Sequence, residues 1–200
     1  AYLNSPYVKA LKEDVHSGII GEVNYVETAF LTQGYSEDIR LYKHLGGGAM
    51  YDLGCYCTTM ILSLIDAEPV WTQAQAEMSK EGVDIMTTAL LKFDNGARAT
   101  FTVGMMLGTD TGERMDRLYI RGSKGHINSS VEYNQSGELE YTIVADGKEM
   151  TRKVTARQNY ALEVEQVNKA ITGSEDLIVT PEFSMKNAKL MEEILKKIGY

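Results

Sequence analysis

The stretch Ile85-Met86-Thr87-Thr88-Ala89-Leu90-Leu91-Lys92-Phe93-Asp94-Asn95-Gly96-Ala97-Arg98-Ala99-Thr100-Phe101-Thr102-Val103-Gly104-Met105 decides the fold. Ile85, Thr87, Ala89, Leu91 and Phe93 recur at every second position, and so do Ala97, Ala99, Phe101, Val103 and Met105, the latter alternating with Arg98, Thr100 and Thr102. A period of two places each set on one face of a strand. Asp94-Asn95-Gly96 supplies residues that tolerate a tight turn, so the two strands form an antiparallel hairpin.

The same texture extends from 69 to 154. Gly122-Ser123-Lys124-Gly125 reads as a second hairpin turn, and Asp146-Gly147 as a third, between strands at 139–144 and 148–154. About six or seven strands are expected in this region. A further strand is expected over 22–31, with Val23, Tyr25, Ala29 and Leu31 on one face. Helices bracket the strands. Ser5 is an N-cap with Pro6 at the first helical position, Val8, Leu11 and Val15 follow at helical spacing, and Gly18 ends the helix. Gly46-Gly47-Gly48 leads into a second helix reaching about Asp66, with Met50, Leu53, Cys57, Met60, Ile61 and Leu64 as its buried stripe. Tyr160, Val164, Val167 and Ile171 mark a third helix, and Thr180-Pro181 opens a fourth with Ala188, Met191, Leu195 and Ile198 as its apolar face. The expected fold is α+β: one domain over 1–200, with an open, mainly antiparallel sheet, helices packed on one face, and no Rossmann unit.

Two hundred residues suffice for a sizeable core without disulfides or metals. A net charge of −8 argues against nucleic acid and against an anionic membrane surface. No apolar run approaches the roughly 18–20 residues of a spanning helix, and no basic-then-apolar leader marks the chain for export. Because Ala1 is not a start methionine, a leader could lie upstream. Cys55 and Cys57 point to different faces of a helix and are expected as buried, reduced thiols, which fits a cytoplasmic setting. Three scattered histidines offer no metal site, and only His44, beside the glycines, draws notice.

The segment Gly46-Gly47-Gly48-Ala49-Met50-Tyr51-Asp52-Leu53-Gly54-Cys55-Tyr56-Cys57 is the most unusual in the chain. It fails the Gly-x-Gly-x-x-Gly dinucleotide fingerprint, since Tyr51 stands where the third glycine belongs. Its glycines would let the backbone approach a ligand at a helix N-terminus, and Asp52 and Tyr56, four residues apart, would share a face. A carboxylate beside a phenol can hold a polyol and move a proton, with Gly54 leaving room for a ring. The plainer reading is a turn, a dipole-favoured Asp and a packed Tyr. Upstream, the polar connection over 32–45 carries Tyr35, Asp38, Arg40, Tyr42, Lys43 and His44, a length at which loops are often functional.

Gly46-Gly47-Gly48-Ala49-x-x-Asp52-x-Gly54-x-Tyr56 resembles the signature of the glucose-fructose oxidoreductase / inositol dehydrogenase family. Val8-Lys9-x-Leu11, Ser17-Gly18-x-Ile20-Gly21-Glu22-Val23, Glu68-Pro69-Val70, Asn159-Tyr160-x-x-Glu163 and Thr180-Pro181 agree with it in order, so that the resemblance runs from Val8 to the end. It implies a substrate-binding and oligomerising domain that follows a Rossmann domain binding NAD or NADP. The family's catalytic lysine lies in a Glu-Lys-Pro segment that this chain does not contain. Tyr56 matches the acid/base position, and Asp52 the substrate-contacting aspartate. Arg40 and Tyr42 match the substrate-facing loop, and Gly47, Gly48 and Gly54 lie next to the cofactor. A tyrosine at position 56 is similar to the glucose-fructose oxidoreductase and dihydrodiol or xylose dehydrogenase branch, which favours NADP. The implied function is hydride transfer between nicotinamide and a sugar, polyol or diol, in a homodimer or tetramer formed through the open sheet, with the 85–105 strands as the candidate face. The fragment alone is not expected to be active. The alternatives are a non-catalytic sugar sensor or regulator of the same fold, and a dimerisation module.

Overall fold

A computed structural model describes residues 1–34, 36–109, 112–130 and 133–200, so Tyr35 lies outside the described residues. The chain runs through α1 (Pro6–His16), β1 (Val23–Leu31) and α2 (Cys55–Leu64), the last entered through a π-turn at Met50–Gly54. Then follow β2 (Pro69–Met78), β3 (Asp84–Phe93), β4 (Arg98–Gly104), β5 (Met115–Gly122), β6 (Gly125–Ser129), β7 (Gly137–Ala145), β8 (Lys148–Ala156), α3 (Asn159–Ile171) and α4 (Pro181–Ile198).

All eight strands join one sheet in the order β2-β3-β4-β1-β5-β6-β7-β8. Every pair is antiparallel except β1 with β4, where Tyr25 to Leu31 run alongside Arg98 to Gly104. The local turns set this order. Asp94-Asn95-Gly96 closes β3 on β4, Ser123-Lys124 closes β5 on β6, and Asp146-Gly147 closes β7 on β8. Asp146 and Gly147 have φ of 51° and 72°, the two positive values that a tight hairpin turn demands. The seven strands β2–β8 and β1 make up the eight, and β1 enters between the two meanders as the strand that joins them.

Helices α1, α2 and α4 lie on one face, over β8, over β1 and β4, and over β2 respectively. Leu11, Met50, Ile61, Leu64, Leu91, Phe101, Met105, Ile120 and Ile127 fill the layer between them. Ser5 caps α1 by accepting from the Tyr7 N–H, and Thr180 caps α4 by accepting from the Phe183 N–H. The stripe of α4 is Leu190, Met191, Ile194 and Leu195, with Ala188 outside it.

Spacing groups residues onto faces, and the structure shows which way two of them turn. On β1 the core side chains are Val26, Thr28 and Phe30, while Tyr25 and Glu27 face the open side. Alternation fixes which residues share a face but not which face meets the helices. Here the pairing of Tyr25 with Arg98 and Arg121 places it in a polar row. On α3, Tyr160, Val164, Val167 and Ile171 lie outward, with Ile171 77% exposed and Val164 61%. This helix packs on the N-terminal turn Tyr2–Asn4 rather than on the sheet, so its apolar stripe meets no core.

The uncovered sheet face is mostly polar. One row across it reads Lys92, Arg98, Tyr25, Arg121, His126, and the next reads Leu90, Thr100, Glu27, Tyr119, Asn128. Arg117 reaches Glu27 at 3.3 Å, and Lys92 sits 4.7 Å from the Trp71 ring centroid.

The core face of β1 is directly testable. Val26→Asp places an unpaired charge in the core and is expected to cost more than about 4 kcal/mol. Glu27→Ala, which loses one half-exposed ion pair, is expected to stay within about 1 kcal/mol of the parent. Thermal melts followed by circular dichroism separate the two, and equal losses would reverse the assignment.

Candidate functional site

The glycine run is built by what surrounds it. Asp38 opens the short turn Ile39–Leu41 by accepting from the Arg40 N–H at 2.9 Å. The backbone then folds back on the glycines. The Gly46 N–H donates to the Lys43 carbonyl at 3.0 Å, that of Gly47 to the Tyr42 carbonyl at 3.0 Å, and that of Gly48 to the Arg40 carbonyl at 2.8 Å. A Cβ on Gly47 would stand 2.3 Å from the Arg40 carbonyl oxygen, so no larger residue fits this crossing. Gly48, at φ 113°, lies over the wholly buried Asp84, whose Oδ1 would be 2.3 Å from an added Cβ.

Asp84 does the work of an N-cap from another element. Its Oδ2 accepts from the Met50 N–H at 2.9 Å and from the Thr87 hydroxyl at 2.7 Å. Burial pushes its carboxyl above the usual carboxylate range, and the two hydrogen bonds oppose that shift. The open helix N-terminus expected from the sequence is therefore already engaged, by a carboxylate and by loop carbonyls. Tyr200 closes the other side, donating its hydroxyl to the Gly47 carbonyl at 2.5 Å and meeting Tyr51 edge-on, with the Lys43 ammonium 4.8 Å from its ring centroid.

Arg40 and Asp52 are brought together as the sequence suggests. Arg40 Nε donates to Asp52 Oδ1 at 2.7 Å, and Nη1 reaches Asp38 Oδ1 at 3.1 Å. The bond to Asp52, then that to Asp38, raises the guanidinium pKa above its ordinary value, so the arginine is a permanent cation clamped between carboxylates. These two residues line a shallow recess with Ile39, Leu45, Gly46, Gly48 and Tyr51. Tyr42 contributes its carbonyl to Gly47, while its partly exposed ring tilts against that of His44 at 5.9 Å.

Tyr56 occupies different surroundings. Asp52 lines the recess of Arg40, and Tyr56 lines another. Gly54 serves the π-turn, because Met50 Sδ and Cε fold to 2.7 and 2.8 Å from where its Cβ would be; that space belongs to Met50 rather than to a ring. One turn on, the Tyr56 ring stacks on Tyr2 at 5.6 Å and meets Phe30 and Tyr133 edge-on at 5.4 and 5.6 Å. Its hydroxyl accepts from Asn134 Nδ2 at 3.3 Å. Burial raises the phenol pKa and the Asn134 bond lowers it. Tyr56 borders a recess shared with Tyr2, Cys55, Thr59, Glu163, Val167 and Leu177. Cys57 is buried, whereas Cys55 is only half-buried and sits on the wall of this recess.

The loop after β6 is pinned beneath this nest. Asp116, wholly buried, accepts from Arg114 at 2.6 Å and from the Tyr133 N–H at 2.5 Å. Arg114 lies 4.5 Å from the Phe30 ring centroid, and the Tyr133 hydroxyl bonds Thr28. Asp84, Asn134, Tyr133, Tyr2 and Tyr200 are the neighbours that a reading of the sequence missed. Alternation hides Asp84 as well, since it places this residue on the face opposite Ile85, Thr87 and Ala89, whereas the structure buries it.

Residues 8–128 match the model of the GFO/IDH/MocA C-terminal domain. The chain is 29% identical over 189 residues to an uncharacterized oxidoreductase from Rhizobium meliloti, covering 90% of this chain and 55% of that protein. It is 24% identical over 207 residues to a trans-1,2-dihydrobenzene-1,2-diol dehydrogenase from Xenopus laevis, covering 97% of this chain and 60% of that protein. Among solved structures, a 3-ketoreductase from Actinomadura kijaniata in complex with NADP and TDP-benzene has the same fold, with a TM-score of 0.84 at 22% identity over 98% of this chain and 60% of that one. The chain thus spans 55–60% of the length of these relatives. With more than half of its residues matched by the family model, the chain belongs to the GFO/IDH/MocA C-terminal domain family, a family of oxidoreductase domains.

Proposed function

We propose that the chain is the substrate-side domain of an NAD(P)-dependent oxidoreductase that moves a hydride between nicotinamide and a sugar, polyol or diol. The observation that carries this reading is Tyr56, a phenol held in an aromatic nest with its hydroxyl fixed by a neutral amide at the wall of an open recess. In this reading Tyr56 is the acid/base group. Asp52 orients a reactant hydroxyl, with its carboxylate held in place by Arg40. Tyr42 stands at the rim. Gly47, Gly48 and Gly54 run next to the cofactor as part of the helix entry, although their own geometry is spent on Arg40, Asp84 and Met50.

The direction of the proton follows from the environment of Tyr56. Burial raises its pKa, so near neutral pH it rests as the neutral phenol. A neutral phenol donates, which suits reduction: as hydride reaches a carbonyl carbon, the proton reaches its oxygen. In the oxidising direction the phenol must first lose its proton, and the rate climbs with pH.

Nicotinamide supplies the hydride when it is bound. This chain does not offer it a pyrophosphate cradle, because the N–H groups of Gly46, Gly47 and Gly48 all donate to loop carbonyls and that of Met50 to Asp84. A separate Rossmann domain is the cofactor's holder in this proposal, with NADP favoured by the likeness to an NADP(+) D-xylose 1-dehydrogenase from Haloferax volcanii. The uncovered sheet face is the proposed homodimer or tetramer interface, within a soluble cytoplasmic enzyme. Among the described residues no helix is long and apolar enough to cross a membrane.

In the intact enzyme, Tyr56→Phe is expected to lower turnover at least about 100-fold with little change in apparent reactant binding. Steady-state kinetics with NADP and a panel of aldoses and dihydrodiols measures this, and near-normal turnover would remove Tyr56 from the mechanism. For the interface, Leu90→Asp on the open face is expected to convert a dimer into a monomer in sedimentation analysis while leaving the melting temperature of the protomer within a few degrees. A parent protein that sediments as a monomer at high concentration would exclude the face as an interface.

A further inference from the structure

Asn134 has no place in the proposed chemistry so far, yet it holds the one hydroxyl on which that chemistry rests. It follows Tyr133 between β6 and β7, and Tyr133 is anchored at three points. The Tyr133 N–H is bound by buried Asp116, the Tyr133 carbonyl accepts from Asn159 Nδ2 at 3.1 Å, and the Tyr133 hydroxyl is held by Thr28. The Asn134 side chain is therefore delivered by a fixed backbone. Its Nδ2 donates to Tyr56 Oη at 3.3 Å, while its Oδ1 is buried with no partner among the described residues.

We propose that Asn134 is a positioning residue for Tyr56: its amide N–H occupies one lone pair of the phenol oxygen, so that the phenol's own proton is turned away from the loop, toward Tyr160 and the recess where a reactant would sit. A phenol oxygen carries one proton and two lone pairs, and an amide nitrogen cannot accept. Once Asn134 donates, the proton of Tyr56 must find another acceptor. The neighbouring hydroxyls are spent elsewhere. That of Tyr2 bonds the Tyr56 carbonyl and Thr59, and that of Tyr133 bonds Thr28 and Cys57. Tyr160 of α3 is the remaining phenol in polar contact with Tyr56, and it is itself half-exposed.

The same contact sets the ionisation of Tyr56. The titratable groups around it are Tyr2 from the N-terminal turn, Tyr133 from the loop, Tyr160 and Glu163 from α3, and Cys55 from its own helix; Arg114 stands beyond Phe30. Burial and the neighbouring phenols disfavour the phenolate, and Asn134 is the neighbour that donates to it. Asn134→Asp keeps the shape, replaces the donor with an acceptor and adds a negative charge, so it must disfavour the phenolate further.

The test reads the phenol directly. The chain is labelled with 3-fluorotyrosine, which brings tyrosine ionisation to lower pH, and followed by fluorine NMR. The Tyr56 resonance is identified by its loss in Tyr56→Phe. In Asn134→Asp its titration midpoint is expected to rise by about one pH unit or more, and in Asn134→Ala by less. An unchanged midpoint in a folded Asn134→Asp chain overturns the proposal. If the aspartate variant does not fold, Asn134→Ala decides by the same criterion. The catalytic meaning rests on the acid/base reading of Tyr56 and is tested separately. In the intact enzyme, the alkaline limb of the oxidation rate should move up by the same interval, at about tenfold in rate per pH unit below it, with KM for the reactant changed less than about threefold. A shifted resonance together with full activity of Tyr56→Phe would leave the contact intact and sink the catalytic reading. An inactive Tyr56→Phe with an unshifted Asn134→Asp would do the reverse.

Discussion

The carboxylate of Asp84 is the constraint from which the candidate site is built. It enters at the start of β3, wholly buried, and binds the Met50 N–H where the helical turn toward Asp52 and Tyr56 begins. A buried carboxylate is costly unless its lone pairs find donors. Met50 and Thr87 supply two, and the positive end of the helix adds a favourable field. This one contact joins sheet to helix. It also explains Gly48, since any side chain there would strike Asp84 Oδ1. Gly47 must then pass under the Arg40 carbonyl, which brings the Arg40 side chain over Asp52. Glycines that resemble a ligand cradle in sequence are, in space, the clearance that lets a loop, a helix start and a buried acid meet.

The same segment carries two chemically different neighbourhoods. On one side lies a charged clamp of Asp38, Arg40 and Asp52; on the other, an aromatic nest of Tyr2, Phe30, Tyr56 and Tyr133. Asp52 and Tyr56 open onto separate recesses. A reactant spanning both would meet a fixed carboxylate at one point and a phenol at another. This arrangement suits a molecule with several oxygens better than a simple alcohol.

Much of the fold was legible because its decisive signals are local. Asp94-Asn95-Gly96 and Asp146-Gly147 turn the chain wherever they occur, and each strand pairs with the one its turn delivers. The caps at Ser5-Pro6 and Thr180-Pro181 are equally local. What stayed hidden was set by partners distant in sequence. The core face of β1 depends on which side α2 covers, and periodicity alone cannot assign it. The stripe of α3 has true helical spacing but no sheet beneath it, so its apolar residues lie outside. In the site, Arg40 with Asp52 was legible as charged residues near one glycine run. Asp84 and Asn134 were not, because each reaches the site across a long sequence interval.

The chemistry assigned to Tyr56 depends on a balance rather than on a single contact. A phenol in an apolar nest alone would be too poor a base for the oxidising direction, and one in open water would have no fixed orientation. Here the ring is immobilised by three aromatic neighbours, and its oxygen is held at the edge of the nest beside one neutral donor. Glu163 lines the recess itself, where it pairs with the Ala1 ammonium, and the guanidinium groups are kept one layer away. Arg114 is neutralised by Asp116 beyond Phe30, and Arg40 by Asp38 and Asp52 on the other face of the turn. A cation that lowers the phenol pKa must therefore come from outside these described contacts, from the reactant, the cofactor or another domain. The chain's own groups favour the protonated phenol, and under the proposed acid/base role a cation brought to the recess would decide when it lets the proton go.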